Sequence, residues 1–139
     1  MHRVNMRLHL IVFSALGAAA VLLTGCGGTV AETMDDVRLY TSKGPQPGDE
    51  AMIVGTLALT PERCVGLEDA EGIIRAVIWP DGTKLVDNQP VRIAVDNAQE
   101  LAVGDSVSGA GGYYANSDDL VAMAQECGAP EEVIRIRFE

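Results

Sequence analysis

Three cysteines have the most versatile side-chain chemistry in this sequence. Cys26 directly follows a long uncharged segment, whereas Cys64 and Cys127 lie in the remainder of the 139-residue chain. A thiol can be acylated, oxidised to a disulfide, bound to a metal or used in redox chemistry. The compartment decides among these chemistries, and the residues before Cys26 indicate the compartment.

The first 25 residues are typical of an export signal. Arg3 and Arg7 supply the positive charge of its amino-terminal part, and residues 10–23 carry no charge. This apolar stretch is shorter than the roughly 20 residues that a lone membrane-spanning helix needs, but it suits the apolar part of a signal peptide. The four residues Leu23-Thr24-Gly25-Cys26 that follow resemble the lipobox of bacterial lipoproteins.

The resemblance to bacterial lipoproteins implies that Cys26 is a lipidation site. Its sulfur would receive a diacylglyceryl group with acyl chains such as palmitate, and the chain would be cleaved before it. The mature protein would then be anchored in the cell membrane by lipid and would face the extracytoplasmic side. Two acyl chains hold a protein stably, whereas one holds it marginally. An ordinary secretory signal and a retained transmembrane anchor are the alternatives.

Removal of residues 1–25 changes the charge and removes both histidines, His2 and His9. The mature chain has 114 residues and a formal charge of −12 rather than −10, because two arginines and no acid are lost. Without histidine, the chain cannot use a Ser-His-Asp or Cys-His mechanism or build the usual histidine zinc sites. The high acidity and the lack of a basic run exclude nucleic acid as a partner.

Cys64 and Cys127 remain after Cys26 is lipidated, and an even pair in an exported domain normally forms a disulfide. The chain has no Cys-x-x-Cys pattern. We therefore predict a structural Cys64–Cys127 disulfide, with metal ligation and redox chemistry as alternatives. Closing a loop of this length corresponds to roughly 4 kcal/mol in the chain-entropy model.

Carboxylates are concentrated in turns, among them residues 68–71 and 118–119. A hydrolase with paired carboxylates needs two acids that converge across a cleft with separated pKa values, whereas acids in turns are mostly solvated. A calcium loop is poorly matched, because residues 96–100 lack the central glycine and the distal glutamate of that motif. We predict no cofactor and no metal site.

Trp79, Tyr113 and Tyr114 form the candidate binding surface. Aromatic side chains are enriched at binding hot spots, so an exposed patch would favour an envelope protein or a glycan as ligand. Tyr113 and Tyr114 are adjacent and must point to opposite faces of a strand, so that one lies in the core and the other is exposed or at a barrel mouth. Core packing is the alternative interpretation for these aromatics, and we favour it.

The elements that must position these residues are mostly strands. We predict strands over residues 51–59, 63–68, 73–79, 91–95, 106–114 and 133–138. Turn signals such as Pro80-Asp81-Gly82 separate them, and one short helix is predicted over residues 117–126, with Ser117 or Asn116 as its N-cap. This order predicts a mainly β fold, a small OB-like barrel or sandwich with one short helix.

Three glycines of one predicted strand, Gly109, Gly111 and Gly112, allow two interpretations. They leave bare backbone that a ligand could approach, or they relieve the bends at which a small barrel closes. We favour the second, because glycines commonly mark such bends.

Residues 26–50 are interpreted as a flexible tether, because they contain a cluster of glycine and proline and no sustained periodicity. A coil of this length would lift the domain about 25–30 Å off the bilayer. A short strand at residues 37–40 is the alternative. The chain then divides into a signal peptide (1–25), a lipidated cysteine with its tether (26–50) and a β-barrel domain (51–139).

The predicted domain is similar, over about residues 53–128, to the small cysteine-containing β domains of uncharacterised bacterial envelope lipoproteins. The similarity is carried by Gly55-Thr56-Leu57, Cys64, Leu67, Val77-Ile78-Trp79-Pro80-Asp81-Gly82-Thr83, Gly104-Asp105-x-Val107, Gly109-x-Gly111-Gly112-Tyr113 and Cys127. It implies fold, disulfide and location, but no ligand. We expect a membrane-anchored, non-enzymatic binding module, with a small-ligand or cation-binding module, or a hydrolase, as alternatives.

Overall fold

The computed structural model of the protein describes residues 28–46, 50–95 and 99–138, so that the predicted signal peptide and Cys26 lie outside the described residues. Within these ranges, no helix is long and apolar enough to cross a membrane. The elements are β1 (Thr29–Met34), β2 (Val37–Ser42), β3 (Ala51–Leu59), β4 (Val65–Glu68), β5 (Ile74–Trp79), β6 (Lys84–Asn88), β7 (Val91–Val95), β8 (Gln99–Ala102), β9 (Ser106–Tyr114), α1 (Asp118–Glu126) and β10 (Val133–Arg137).

Five strands, β3, β4, β5, β10 and β9, close into a barrel. β3 pairs antiparallel with β4 and β9, and β4 pairs antiparallel with β5. β10 completes the closure by pairing parallel with β5 and antiparallel with β9. The predicted fold class is therefore confirmed: the protein is mainly β, with a small OB-like barrel and one short helix. All six predicted strands are present: β3, β7 and β9 have the predicted bounds, and β4, β5 and β10 differ at one end by one or two residues.

Residues 29–42 form a β-hairpin, β1–β2, that belongs to the same sheet as the barrel. β4 pairs only with the first half of β5, from Ile74 to Ala76. The rest of that strand edge is free for β2, which runs parallel to β5 and places Tyr40 beside Ile78. The hairpin thus provides hydrogen-bond partners for backbone groups of β5 that β4 leaves unpaired on this edge.

The side chains of Val37 and Leu39 are fully buried in the core. Burial of such side chains contributes about 1.5–3 kcal/mol each, which holds the strand against the barrel. The predicted flexible tether over residues 26–50 is therefore wrong for residues 29–42. The alternative, a short strand at residues 37–40, is close to the structure.

β6, β7 and β8 form a separate antiparallel sheet that shares one hydrophobic cluster with the barrel interior. β7 was predicted from its alternating valine and isoleucine residues. β6 and β8 were not, because each contributes only a single buried side chain, Leu85 or Leu101, to this cluster. We call this the inner cluster, and it comprises Val37, Leu39, Ile53, Leu57, Val65, Leu67, Val77, Trp79, Leu85, Val91, Ile93, Val95, Leu101, Val107, Ile134 and Ile136.

Helix α1 begins and ends where the sequence predicts. Ser117 is its N-cap, with a hydroxyl that accepts a hydrogen bond of 3.3 Å from the backbone N–H of Leu120. Gly128 follows the helix with a φ of +63°, a conformation that favours glycine and ends a helix. The nine-residue helix lies on the outside of the barrel.

The outer cluster packs beneath this helix, on the face of β5 and β10 that points away from the barrel interior. Side chains alternate along β5, so that Ala76 and Ile78 face the helix while Val77 and Trp79 face the interior. The outer cluster comprises Tyr40, Cys64, Ala76, Ile78, Leu120, Met123, Ala124, Cys127 and Val133.

Gly111 lies where β9 and β10 approach closely. A Cβ atom at this position would overlap the carbonyl oxygen of Arg135 on β10. At Gly109, a Cβ would lie 2.7 Å from the carbonyl oxygen of Arg137. These contacts support the structural interpretation of the glycines, since both positions are occupied by the neighbouring strand.

Candidate functional site

A groove of about 300 Å³ runs between helix α1 and the β1–β2 hairpin. Its apolar floor is formed by Ala31, Leu120 and Met123, and Asp119 and Glu126 add carboxylates along the helix. We call this the helix groove; it is lined by Thr29, Ala31, Tyr40, Asp119, Leu120, Ala122, Met123 and Glu126.

A hydrogen-bonded network forms one wall of the helix groove. The Tyr40 hydroxyl donates to Oε2 of Glu126 over 3.0 Å, and Nη1 of Arg38 donates to the Tyr40 hydroxyl over 3.2 Å. The same Nη1 lies 3.5 Å from Oε2 of Glu126. Because the side chains of Arg38 and Glu126 are 40% and 63% exposed, this ion pair adds little to stability. It does hold the three polar groups in a defined arrangement beside the groove.

Local sequence explains how β2 reaches both the core and the groove. Val37 and Leu39 point into the inner cluster, so Arg38 and Tyr40 point to the opposite face, towards α1. Glu126 is the last residue of the helix and meets them from the other side.

The Tyr40 phenol is a neutral hydrogen-bonding group. Burial raises its pKa above the ordinary value of about 10, an effect that the Arg38 guanidinium opposes. The pKa of Arg38 is also raised, chiefly by its hydrogen bond to Tyr40. At neutral pH the groove wall therefore presents a protonated phenol and no phenolate nucleophile, and the charged Arg38 guanidinium holds this phenol without lining the groove itself.

The predicted disulfide between Cys64 and Cys127 is present, with Cα atoms 5.5 Å apart. Cys127 follows the last residue of α1, and Cys64 bridges to Arg38 on β2 as an isolated β-bridge. The bond therefore connects the end of the helix to the wall of the helix groove. Metal ligation and thiol redox chemistry by these cysteines are excluded while the two sulfurs are bonded to each other.

Trp79 does not lie on a binding surface. Its side chain is fully buried, and its Nε1–H donates to the carbonyl oxygen of Val65 over 3.1 Å. The ring stacks on Phe138, with centroids 6.4 Å apart. The prediction that Trp79 belongs to a binding surface is therefore wrong, and core packing is confirmed for this residue. The alternation along β5 turns its side chain into the inner cluster.

Tyr113 and Tyr114 point to opposite faces of β9, as adjacent strand residues must. Tyr113 is 45% exposed, and the guanidinium of Arg75 lies 5.8 Å from its ring centroid. Tyr114 packs partly against the outer cluster, with Arg135 5.4 Å from its ring centroid. Thus Trp79, Tyr113 and Tyr114 do not form one patch.

The acidic turn before β5 is built around Asp69. Its Oδ1 accepts hydrogen bonds from the backbone N–H groups of Glu71 and Ile73, and its Oδ2 lies 2.6 Å from Nη1 of Arg75. The N–H of Ile73 is the largest influence that lowers the pKa of Asp69. This carboxylate therefore stabilises a turn. Among the described residues, no group of three or more acids, cysteines or histidines could hold a metal ion.

Arg38, Tyr40 and Glu126 were not proposed as site residues from the sequence. Arg38 and Glu126 are 88 residues apart in the chain, so no local pattern connects them. The alternation of Val37 and Leu39 with Arg38 and Tyr40 was the available signal for β2. This strand was predicted as the alternative to a tether, but neither Arg38 nor Tyr40 was connected to a site.

The chain matches no protein-family model, no curated protein and no solved structure. The resemblance to envelope lipoproteins therefore stays a prediction that rests on the residues quoted for it. The geometry of the helix groove carries the functional argument.

Proposed function

We propose that this protein is an extracytoplasmic lipoprotein, anchored in the cell membrane through Cys26, that acts as a non-enzymatic binding module. The observation that carries the proposal is the helix groove, with its apolar floor and its ordered polar wall of Tyr40 and Glu126. A concave apolar surface with a few fixed polar groups is the usual form of a binding site.

Charge indicates the class of partner. Asp119 and Glu126 line the groove, whereas none of the described residues that line it is a cation, and Arg38 is connected to it only through Tyr40 and Glu126. The whole chain has a formal charge of −10. A groove of this kind suits an envelope protein that presents a lysine or arginine next to an apolar side chain. The apolar side chain would contact Leu120 and Met123, and the cation would pair with a carboxylate.

Several features support a non-enzymatic role. Tyr40 is protonated, Cys64 and Cys127 are oxidised to a disulfide, and both histidines precede Cys26. The groove thus offers donors, acceptors and apolar surface, which suffice for binding. Covalent catalysis would require an activated nucleophile with an adjacent base.

The anchor is tested by Cys26→Ser, with Thr33→Ser on exposed strand β1 as the matched control. The cells are fractionated and labelled with a palmitate analogue. We expect the wild type and Thr33→Ser in the membrane fraction with label, and Cys26→Ser without label and released from the membrane. Label and membrane retention in Cys26→Ser would contradict the lipoprotein assignment.

The groove is tested by a photoreactive amino acid in place of Ala122, used in intact cells. The charge reversal Glu126→Lys should abolish the adduct, whereas Glu71→Lys, which makes the same charge change on an exposed turn, should leave it. A partner lost equally from both variants would indicate a general charge effect. An adduct removed by glycosidase treatment would indicate a glycan ligand, against the proposal of a protein.

Purified protein provides a defined probe for the same groove. A peptide with lysine between leucines should shift the NMR methyl signal of Met123, and the same peptide with glutamate in place of lysine should not. Equal shifts with both peptides would contradict the role of the groove carboxylates.

A further inference from the structure

Three parallel strands, β2, β5 and β10, share a direction along the barrel. Tyr40 of β2 and Arg135 of β10 both lie beside Ile78 of β5. The carboxyl ends of the three strands therefore meet at one end of the molecule, which we call the carboxyl end. The opposite end, where the strands begin, is the amino end.

Charge is distributed unequally between these two ends. Each parallel strand begins just after acidic residues: β2 after Asp35-Asp36, β5 after the turn at residues 68–71, and β10 after Glu131-Glu132. At the carboxyl end, β2 is followed by Lys43, and β10 ends at Arg137. The molecule thus has an acidic amino end in a chain of strongly negative net charge.

The carboxyl end also holds the two lysines of the chain. Lys43 follows β2, and Lys84 begins β6 just after the turn that ends β5. Both are exposed, and neither forms an ion pair with a described residue. Asp81, the acid of this turn, is also exposed; it accepts a hydrogen bond of 3.0 Å from the N–H of Gly44 and keeps its negative charge.

The backbone connects this end to the predicted anchor. The N–H of Lys43 donates to the carbonyl oxygen of Gly28 over 2.9 Å, which fixes Gly28 beside Lys43. Cys26 precedes Gly28 by two residues, and two peptide units reach at most about 7.6 Å. A lipid on Cys26 would therefore enter the bilayer beside the carboxyl end, with no long tether between the membrane and the barrel.

We propose that the carboxyl end rests on an anionic phospholipid surface, with Lys43 and Lys84 at the headgroups and the amino end facing away. This inference rests on the proposed lipidation of Cys26. A six-residue strand is about 20 Å long, whereas charges are screened over about 8 Å at physiological salt. The surface therefore attracts the lysines of the near end, while the acids of the far end are largely screened.

The test uses the full lipidated protein in vesicles of phosphatidylglycerol and phosphatidylcholine, and in vesicles of phosphatidylcholine alone. A fluorescent residue replaces Pro45 at the carboxyl end or Glu71 at the amino end, and quenchers are attached to lipid headgroups. We expect stronger quenching at position 45 than at position 71 in the anionic vesicles. Equal quenching of the two positions would overturn the proposed orientation.

Charge variants test the role of the lysines. Each lysine near an anionic surface changes the equilibrium constant between the bound orientation and the others about fivefold. Lys43→Gln/Lys84→Gln should therefore reduce the difference in quenching between positions 45 and 71, and high salt should do the same. Arg63→Gln/Arg75→Gln, which removes two cations at the amino end, should not reduce it. If the difference in quenching between positions 45 and 71 is unchanged in Lys43→Gln/Lys84→Gln, the two lysines do not hold the protein on the anionic surface.

Mass spectrometry of Cys26 in the same preparation separates the two proposals. Lipid on Cys26 with equal quenching at both positions refutes the orientation and leaves the lipoprotein assignment intact. Cys26 without lipid refutes the assignment, and the inference fails with it.

Discussion

The two faces of strands β5 and β10 are covered in different ways. On the inner face, Val77 and Ile136 pack among strands of the barrel and the three-stranded sheet. On the outer face, Ile78 and Val133 are covered by one nine-residue helix. The inner face is thus enclosed by hydrogen-bonded strands, whereas the outer face depends on an element that would be marginal alone.

This difference indicates where the molecule can adapt to a partner. The helix groove lies at the boundary between α1 and the hairpin, next to the outer cluster. The Cys64–Cys127 disulfide fixes one end of the helix at this boundary. The proposed binding site therefore lies beside the less enclosed of the two faces.

The largest expected effect is that of removing the disulfide with Cys64→Ala/Cys127→Ala. The 63-residue separation corresponds to a loss of about 4 kcal/mol in the free energy of unfolding. Urea denaturation measures this loss, and hydrogen exchange should show that α1 loses more protection than β5. Equal loss of protection in α1 and β5 would contradict the claim that the outer face is the less stable of the two.

Truncation of a side chain should cost more on the inner face than on the outer face. Ile136→Ala leaves a cavity among strands and should lower the free energy of unfolding by about 3 kcal/mol. Met123→Ala should cost at least about 1 kcal/mol less, because the flexible edge of the helix can collapse around the change. The two variants are compared by urea denaturation. A larger loss of unfolding free energy for Met123→Ala than for Ile136→Ala would show that the outer face is the more tightly packed one.

Closure of the barrel is tested by exchanging glycine and alanine at neighbouring positions of β9. Gly111→Ala forces a Cβ against Arg135 and should cost about 2 kcal/mol. The reverse exchange, Ala110→Gly, should cost only about 0.5–1 kcal/mol, through backbone entropy. Thermal unfolding measures both, and equal losses would show that the close approach at Gly111 has no energetic role.

The smallest expected effect is at the groove wall. Tyr40→Phe removes the hydroxyl between Arg38 and Glu126 and should cost about 1 kcal/mol at pH 7. Tyr113→Phe is the control, because the Tyr113 hydroxyl has no hydrogen bond to a described residue, and it should cost close to nothing. Chemical denaturation distinguishes the two.

The same variant predicts a pH dependence. The pKa of Tyr40 is raised in the folded protein. The hydroxyl of Tyr40 therefore makes its full contribution to the free energy of unfolding below about pH 10, and this contribution is lost as the pH rises through the folded pKa. The difference in unfolding free energy between wild type and Tyr40→Phe should therefore narrow above about pH 10. A difference that widens there would show that folding favours the phenolate.

Much of the fold could be predicted because its signals are local. The apolar runs of β3 and β5, the alternation in β7 and β10, and the N-cap at Ser117 each depend on neighbouring residues. β6 and β8 could not be predicted, because each has one buried side chain and no periodic pattern. β2 was predicted only as the alternative, at residues 37–40, because the proline and glycine cluster after it favoured a coil although Val37 and Leu39 alternate.

The sequence by itself determined six of the strands, the helix, the pairing of two cysteines and the acidity of the chain, because composition and short-range periodicity carry this information. Only the tertiary structure decided that Trp79 is buried, that Arg38 and Tyr40 meet Glu126, and that the lysines share one end. These facts depend on strand register and barrel closure, which join residues far apart in the chain. No local pattern of residues specifies such long-range contacts.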